Sequence, residues 1–259
     1  IFDVLKHSND KRKKAVLDKY DTRESIARCF IVRWEKRNKF LVFRNAEEFN
    51  KFQLSQKEED RNFHEVIFNW MRQKLRFDLD YTGTKEDENQ VSLDLDEIIN
   101  SICAVFYTHY NYDIQTEEII VFDSSGPTGD SAFKYSYHII IDGYYVNDNV
   151  EAAAFANHVI ESLSPTAKKM VDIGVYKQLQ FMRMYGSCKL GSKRTKLIYG
   201  DKDFNNEMFR KSLITNTIGC IELPSISNNL YETEYASHEL LTDDTNVILD
   251  IIKEHTKGH

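Results

Sequence analysis

The sequence predicts an α+β fold in which an antiparallel or mixed sheet is flanked by helices. Three observations carry that reading. Short runs rich in β-branched and aromatic residues, alternating with period two, recur at 29–43, 73–81 and 119–141. A long segment at 92–112 has helical apolar spacing instead. The order strand, long helix, strand, strand, helix then belongs to a sheet covered by helices.

Taken in order, residues 1–28 read as a strongly charged helix with Lys11, Arg12, Lys13 and Lys14 on a solvated face. Two β-type runs at 29–34 and 39–43 flank Glu35-Lys36-Arg37-Asn38, a hairpin turn. Residues 45–53 form a short helix, and 55–61 a polar connection. Strands follow at 64–68 and 73–81, although the apolar spacing over 62–73 also suits a helix. After a loop at 82–91, the helix at 92–112 buries Ile98, Ile99, Ile102, Val105 and Phe106. A strand at 119–122 runs into the turn cluster Asp123-Ser124-Ser125-Gly126-Pro127. A strand at 133–141 and a helix at 147–163 come next. Residues 171–176 and 181–185 are β-like, 205–213 helical and 219–223 β-like, and a helix at 243–255 closes the chain.

The 259 residues suit one large domain or two closely packed lobes, and 41% hydrophobic content with 14 Tyr and 16 Phe is ample for a core. No apolar run is long enough for a membrane span, and the first residues carry no signal-peptide pattern. The opening Ile1 suggests a domain excised from something longer. Cys29, Cys103, Cys188 and Cys220 show no C-x-x-C spacing, which gives neither a zinc ribbon nor a disulfide framework and suggests a reducing, intracellular setting. Between Lys168 and Lys202, nine basic residues face Asp172 and Asp201, a surplus of +7 in a chain of net charge −7, so the rest carries −14. A concentrated basic patch on an acidic protein is a phosphate-binding signal, although a solvated lysine-rich loop has the same composition.

The chemistry centres on Leu75-Arg76-Phe77-Asp78-Leu79-Asp80-Tyr81. Strand alternation puts Phe77, Leu79 and Tyr81 on one face and Asp78 and Asp80 on the other, their Cα atoms roughly 6–7 Å apart. Carboxylates this close repel unless a cation lies between them, and a pair of divalent ions is the solution used in phosphoryl transfer. Two solvated aspartates on an exposed strand would read identically. Asp94 and Asp96 repeat the spacing, but at the start of a helix, where residues two apart do not share a face and acids suit the dipole. In Lys134-Tyr135-Ser136-Tyr137-His138, alternation brings Lys134, Ser136 and His138 onto one face as a cradle for polyphosphate oxygens. Asp172 could complete a metal site, with Arg183 and Lys189 neutralising triphosphate charge. Lys193, Arg194 and Lys196, within the basic window, are the expected contacts for a nucleic-acid backbone. Gly186-Ser187-Cys188-Lys189-Leu190-Gly191-Ser192-Lys193 imitates a P-loop but lacks its Lys-Ser/Thr order and strand–loop–helix setting.

Together these blocks resemble the archaeo-eukaryotic primase (AEP) superfamily, and most closely its primase-polymerase branch, found in primase-helicases of large DNA viruses and mobile replicons. The family's hydrophobic strand ending in Asp-x-Asp/Glu is similar to 74–81, and its Ser-x-His strand to 134–138. Its Asp-hydrophobic-Gly-Val-Tyr segment, Arg-bearing strand and Ser-x-Lys turn are similar to Val171-Asp172-Ile173-Gly174-Val175-Tyr176 through Ser187-Cys188-Lys189. His64-Glu65-Val66-Ile67 and Asp123-Ser124-Ser125 agree in the flanks, and the likeness covers roughly 30–225.

The resemblance implies a smaller N-terminal α/β lobe with its helix (1–70), an RRM-like catalytic lobe (71–235) bearing all these motifs, and a C-terminal helix (236–259). It implies Asp78, Asp80 and Asp172 as metal ligands for two Mg²⁺ or Mn²⁺ ions, and Ser136 and His138, assisted by Lys134, Arg183 and Lys189, as binders of an NTP or dNTP. The family activity is template-directed synthesis and extension of short primers on single-stranded DNA, often beside a helicase. No zinc module and no Walker motif are present in the sequence, so a helicase would lie outside it. Two rival readings share the resemblance: a gap-filling or repair polymerase that does not prime, and an inactive single-strand or replisome binding module.

Overall fold

The structure, a computed structural model, describes residues 26–129, 131–201, 203–227, 247–248 and 250–251. Most of the predicted N-terminal helix, with its basic run, and much of the C-terminal one lie outside them. In chain order the elements are β1 (Phe30–Trp34), β2 (Lys39–Phe43), α1 (Ala46–Ser55), β3 (Phe63–Phe68), β4 (Arg76–Gly83), α2 (Glu88–Tyr110) and β5 (Ile119–Asp123). There follow β6 (Gly126–Thr128), β7 (Ala132–Ile141), β8 (Tyr144–Tyr145), α3 (Asn149–Ser162), α4 (Pro165–Lys168), β9 (Leu179–Arg183), β10 (Leu197–Ile198), α5 (Asn206–Lys211) and β11 (Ile221–Glu222). The α+β class read from the sequence is borne out.

An antiparallel sheet of order β10-β5-β7-β4, with β6 added along β7, carries the predicted motifs. Its faces follow from alternation. Phe77 and Leu79 are fully buried, and Phe77 meets the α3 residue Phe155 edge-on with ring centroids 6.2 Å apart. Above them α2 presents Val91, Leu95, Ile98, Ile102, Phe106 and Tyr110, steps of three and four that form one helical stripe, with Ile99 and Val105 at its margin. Each large apolar side chain withdrawn from water there contributes about 1.5–3 kcal/mol. A reciprocal capping box between Thr84 and Asp87 precedes α2, and Asn111 ends it in the left-handed conformation at φ 56. The helix turns Asp94 inward to accept from Thr166 Oγ1 at 3.0 Å, so the second Asp-x-Asp is structural.

A further sheet has the order β2-β1-β3-β9. One of its faces joins the main core through Val32, Leu41, Phe63, Ile67 and Met182, and the other packs Ile31, Phe40, Val42, Val66 and Phe68 against Ile248 and Ile251. Buried Glu65 accepts from Ile214 N at 2.9 Å, Thr215 N at 2.8 Å and Thr215 Oγ1 at 2.6 Å, clamping the stretch after α5 onto β3.

Several expectations change. Residues 171–176 are not a strand: Ile173–Tyr176 is a 3-10 turn, because Asp172 Oδ1 accepts from Gly174 N at 2.7 Å and curls the chain locally. Residues 63–68 form a strand, not the competing helix; β4 continues to Gly83, and α2 starts at Glu88 inside the expected loop. The 123–127 turn cluster contains the start of β6, since Gly126 and Pro127 pair with Lys134 and Phe133. In the β2-β1-β3-β9 sheet the edge strand beside β3 is β9, which carries Arg183.

Glu65→Ala strands two backbone N–H groups beneath the sheet, so it is expected to lower stability by about 2–4 kcal/mol in chemical denaturation, with Glu65→Gln losing less.

Candidate active site

β4 and β7 pair over eight positions, among them Asp78 with His138, Asp80 with Ser136 and Thr82 with Lys134. Directly paired residues project from the same face, so the two predicted motifs form one surface. His138 Nε2 lies 3.3 Å from Asp78 Oδ1, and Lys134 Nζ lies 2.9 Å from Asp80 Oδ2. Ser136 and His138 are each only 3% exposed.

The third carboxylate is delivered by a strap along the free edge of β4. Asp80 N donates to Met170 O at 2.7 Å and Asp172 N to Asp78 O at 2.9 Å, with a bridge between Leu79 and Val171. Fully buried Arg76 locks the strap, donating to Gln73 Oε1 at 2.7 Å and Val175 O at 2.8 Å, while the Tyr176 hydroxyl donates to Arg76 O. The Asp172 backbone is thus fixed beside Asp78. Its side chain is exposed and spent on Gly174 N.

Cations face this shelf. Arg183 Nη1 donates to Ser124 Oγ at 3.0 Å. Lys196, 2% exposed, donates from Nζ to Arg183 O at 2.8 Å and stands 4.9 Å from the Phe122 ring centroid. A turn at Gly186 (φ 78) positions it, because Gly186 N donates to Lys196 O and Lys196 N to Ser187 O, each at 2.9 Å. A Cβ on Gly186 would come within 2.8 Å of Phe204.

Burial controls the charges. Desolvation, then Asp80 and Asp172, push Asp78 up to about 7. Burial and neighbouring Arg183 bring Lys196 down to about 7. His138 is held well below its ordinary value by burial and by Lys196, Arg183 and His64, so it stands as neutral imidazole. Asp78 Oδ1 and Asp80 Oδ1 are buried and lack hydrogen-bond partners. Unsatisfied hard oxygens on repelling carboxylates are a donor set suited to Mg²⁺ or Mn²⁺, and a divalent charge would offset the desolvation. The fit is to Asp78 and Asp80, with Asp172 alongside; among the described residues no three ligating side chains are already gathered.

The predicted residues do not all converge. Lys189 is exposed after Cys188, and no interaction with the carboxylates places it at the shelf. Lys196, expected on the template surface, is buried against Arg183, whereas Lys193 is exposed and Arg194 half-buried, its Nε donating to Ser192 Oγ at 3.2 Å. Sequence reasoning quoted His64 and Ser124 only in the flanks of the motifs and gave neither a site role; His64 is registered opposite Arg183 on β3, and Ser124 orients Arg183. The signal for His64 was a polar residue heading the otherwise apolar face of Val66 and Phe68.

A family model described as the C962R protein N-terminal AEP domain matches residues 22–199, the greater part of the chain. The chain belongs to this family of AEP domains. A protein of African swine fever virus (strain Badajoz 1971 Vero-adapted), named for a helicase/primase complex, is 36% identical over 254 residues, covering 86% of this chain and 23% of the relative. One of the same name from isolate Pig/Kenya/KEN-50/1950 is 33% identical over 261 residues, covering 95% and 25%. A protein of Acanthamoeba polyphaga mimivirus named as a helicase is 23% identical over 249 residues, covering 83% and 24%. This AEP domain therefore spans about a quarter of the length of the relatives it matches. No helix among its described residues is long and apolar enough to cross a membrane.

The raised affinity of Asp78 for its proton gives a signed pH effect. Between the ordinary carboxylate range and pH about 7 the folded metal-free domain holds a proton that the unfolded chain has lost, so this group's contribution to stability falls as pH rises. In EDTA, Asp78→Asn is expected to melt above the wild type by a margin that widens from about pH 5 to about pH 8.

Proposed function

We propose that this AEP domain is a two-metal nucleotidyltransferase that makes and extends short primers on single-stranded DNA from NTPs or dNTPs. The observation that carries the reading is the β4–β7 register, which sets Asp78 and Asp80 directly against His138 and Ser136 while Arg183 and Lys196 face Asp78. Asp78 and Asp80, with Asp172 turned in from Gly174, would hold Mg²⁺ or Mn²⁺. When bound, such ions supply Lewis-acid stabilisation of the attacking and leaving oxygens.

The chain's own groups do the rest. Lys134, Ser136 and His138 orient the polyphosphate, with neutral His138 donating a hydrogen bond. Arg183 and Lys196 offset the negative charge that grows on the departing pyrophosphate as the new bond from a 3′-oxygen to the α-phosphorus forms. Burial strengthens each of these interactions. The relatives named for a helicase/primase complex, of which this domain matches about a quarter, support a helicase in the same polypeptide or assembly. Lys193 and Arg194 on the turn before β10 are the template contacts in this reading.

Primer synthesis on bare single-stranded DNA with labelled nucleotides and Mn²⁺ tests the proposal. Wild type is expected to give short products that Asp78→Ala/Asp80→Ala abolishes, a loss of at least about 10³-fold. Products from a supplied primer alone would mark an extension-only polymerase, and template binding without synthesis an inactive module. Removing Lys193 and Arg194 together is expected to weaken oligonucleotide binding and flatten its salt dependence, the log–log slope falling by about 0.7 for each phosphate no longer neutralised. An unchanged slope would remove them from the template path.

A further inference from the structure

Strand register sets a second row of groups across the β2-β1-β3-β9 sheet. Arg33 on β1 lies opposite His64 on β3, and His64 lies opposite Arg183 on β9. Directly paired residues share a face, so the three stand in line over about 10 Å of sheet. The rest of that face is apolar and packed against Ile248 and Ile251, which confines the polar row to the Arg183 end of the face.

The row is built but unsatisfied. The Arg33 guanidinium is steadied 4.8 Å above the Phe181 ring, and no carboxylate among the described residues pairs with it. His64 Nδ1 is buried without a partner. Burial first, then the charges of Arg183, Arg33 and Lys196, bring the His64 ring down to about 3, so it stands as a neutral imidazole between the two arginines of the row. His64 also helps hold His138 below its ordinary value. Cations crowded onto one half-buried spot, with an unpaired imidazole nitrogen among them, call for an anion with several acceptor oxygens.

We infer that Arg33 and His64 extend the nucleotide site beyond Arg183 and receive the terminal phosphate of the bound triphosphate. This rests on the nucleotide-binding reading above and adds two residues to which the motif reading gave no role, His64 having been quoted only in a flank. A nucleotide tail is favoured over a strand backbone because the row starts at Arg183, inside the carboxylate cleft, whereas the exposed basic turn lies at Lys193. Arg33 and His64 are accordingly positioning residues, distant from the reacting α-phosphorus.

Calorimetric binding of tripolyphosphate and pyrophosphate without divalent ions tests this separately from the metal shelf. Wild type is expected to prefer tripolyphosphate. Arg33→Ala should weaken tripolyphosphate about tenfold and pyrophosphate less than about twofold, collapsing that preference, with His64→Gln intermediate. Arg33→Lys, which keeps the charge on β1 but not the planar fork, should recover part of the loss, and serves as the working variant if alanine disturbs the sheet. Equal losses for both anions, or none in a variant with wild-type melting temperature, would overturn the assignment. So would a loss confined to a single-stranded oligonucleotide, which would reassign the row to the template. Should Asp78→Ala/Asp80→Ala leave strand synthesis intact, the catalytic reading falls while an Arg33-dependent tripolyphosphate preference still stands.

Discussion

The cleft depends on the ladder between β4 and β7. Because strand side chains alternate, a slip of one residue would send Asp78 and Asp80 into the apolar layer beneath α2 and bring Phe77 and Leu79 to the surface. The buried stripe on α2 therefore enforces the register at which Asp78 meets His138. The same ladder leaves the other edge of β4 free for the 170–172 strap, so the position of Asp172 is a consequence of where β4 sits. Arg76 makes the arrangement stiff, since its guanidinium bonds the strap and its carbonyl accepts from Tyr176.

This geometry works against stability. Asp78 and Lys196 have both been drawn toward neutrality by burial, from opposite directions. A carboxyl, an ammonium group and two imidazoles are packed close together with several hydrogen-bonding atoms unsatisfied, an arrangement that is costly for a metal-free fold and useful to one that must receive cations and phosphates.

Much of this was legible locally. Alternation alone separated Asp78 and Asp80 from Phe77 and Leu79, and the same rule grouped Lys134, Ser136 and His138. Helical context removed Asp94 and Asp96 from consideration. Two of the errors come from contact distant in sequence, and one from a local side-chain bond. Lys196 read as surface charge because it follows Lys193 and Arg194, and what buries it is the Gly186 turn together with Phe122, 74 positions upstream in the chain. Residues 171–176 alternate well enough for a strand, yet the side chain of Asp172 diverts them into a tight turn. Arg33 and His64 become neighbours of Arg183 only through cross-strand pairing, which no local pattern reports.

The placement of β9 has a consequence for how the domain comes into being. The sheet begun by β1, β2 and β3 waits for an edge strand encoded more than a hundred residues later, with β4, β5, β6 and β7 of the motif-bearing sheet synthesised in between. Until Leu179–Arg183 leaves the ribosome, β3 presents an unpaired edge, and the half-made sheet is open to a wrong partner. The arginine that faces the carboxylates is carried by the strand that closes that gap, so the nascent chain gains this cation and loses its exposed edge in the same step.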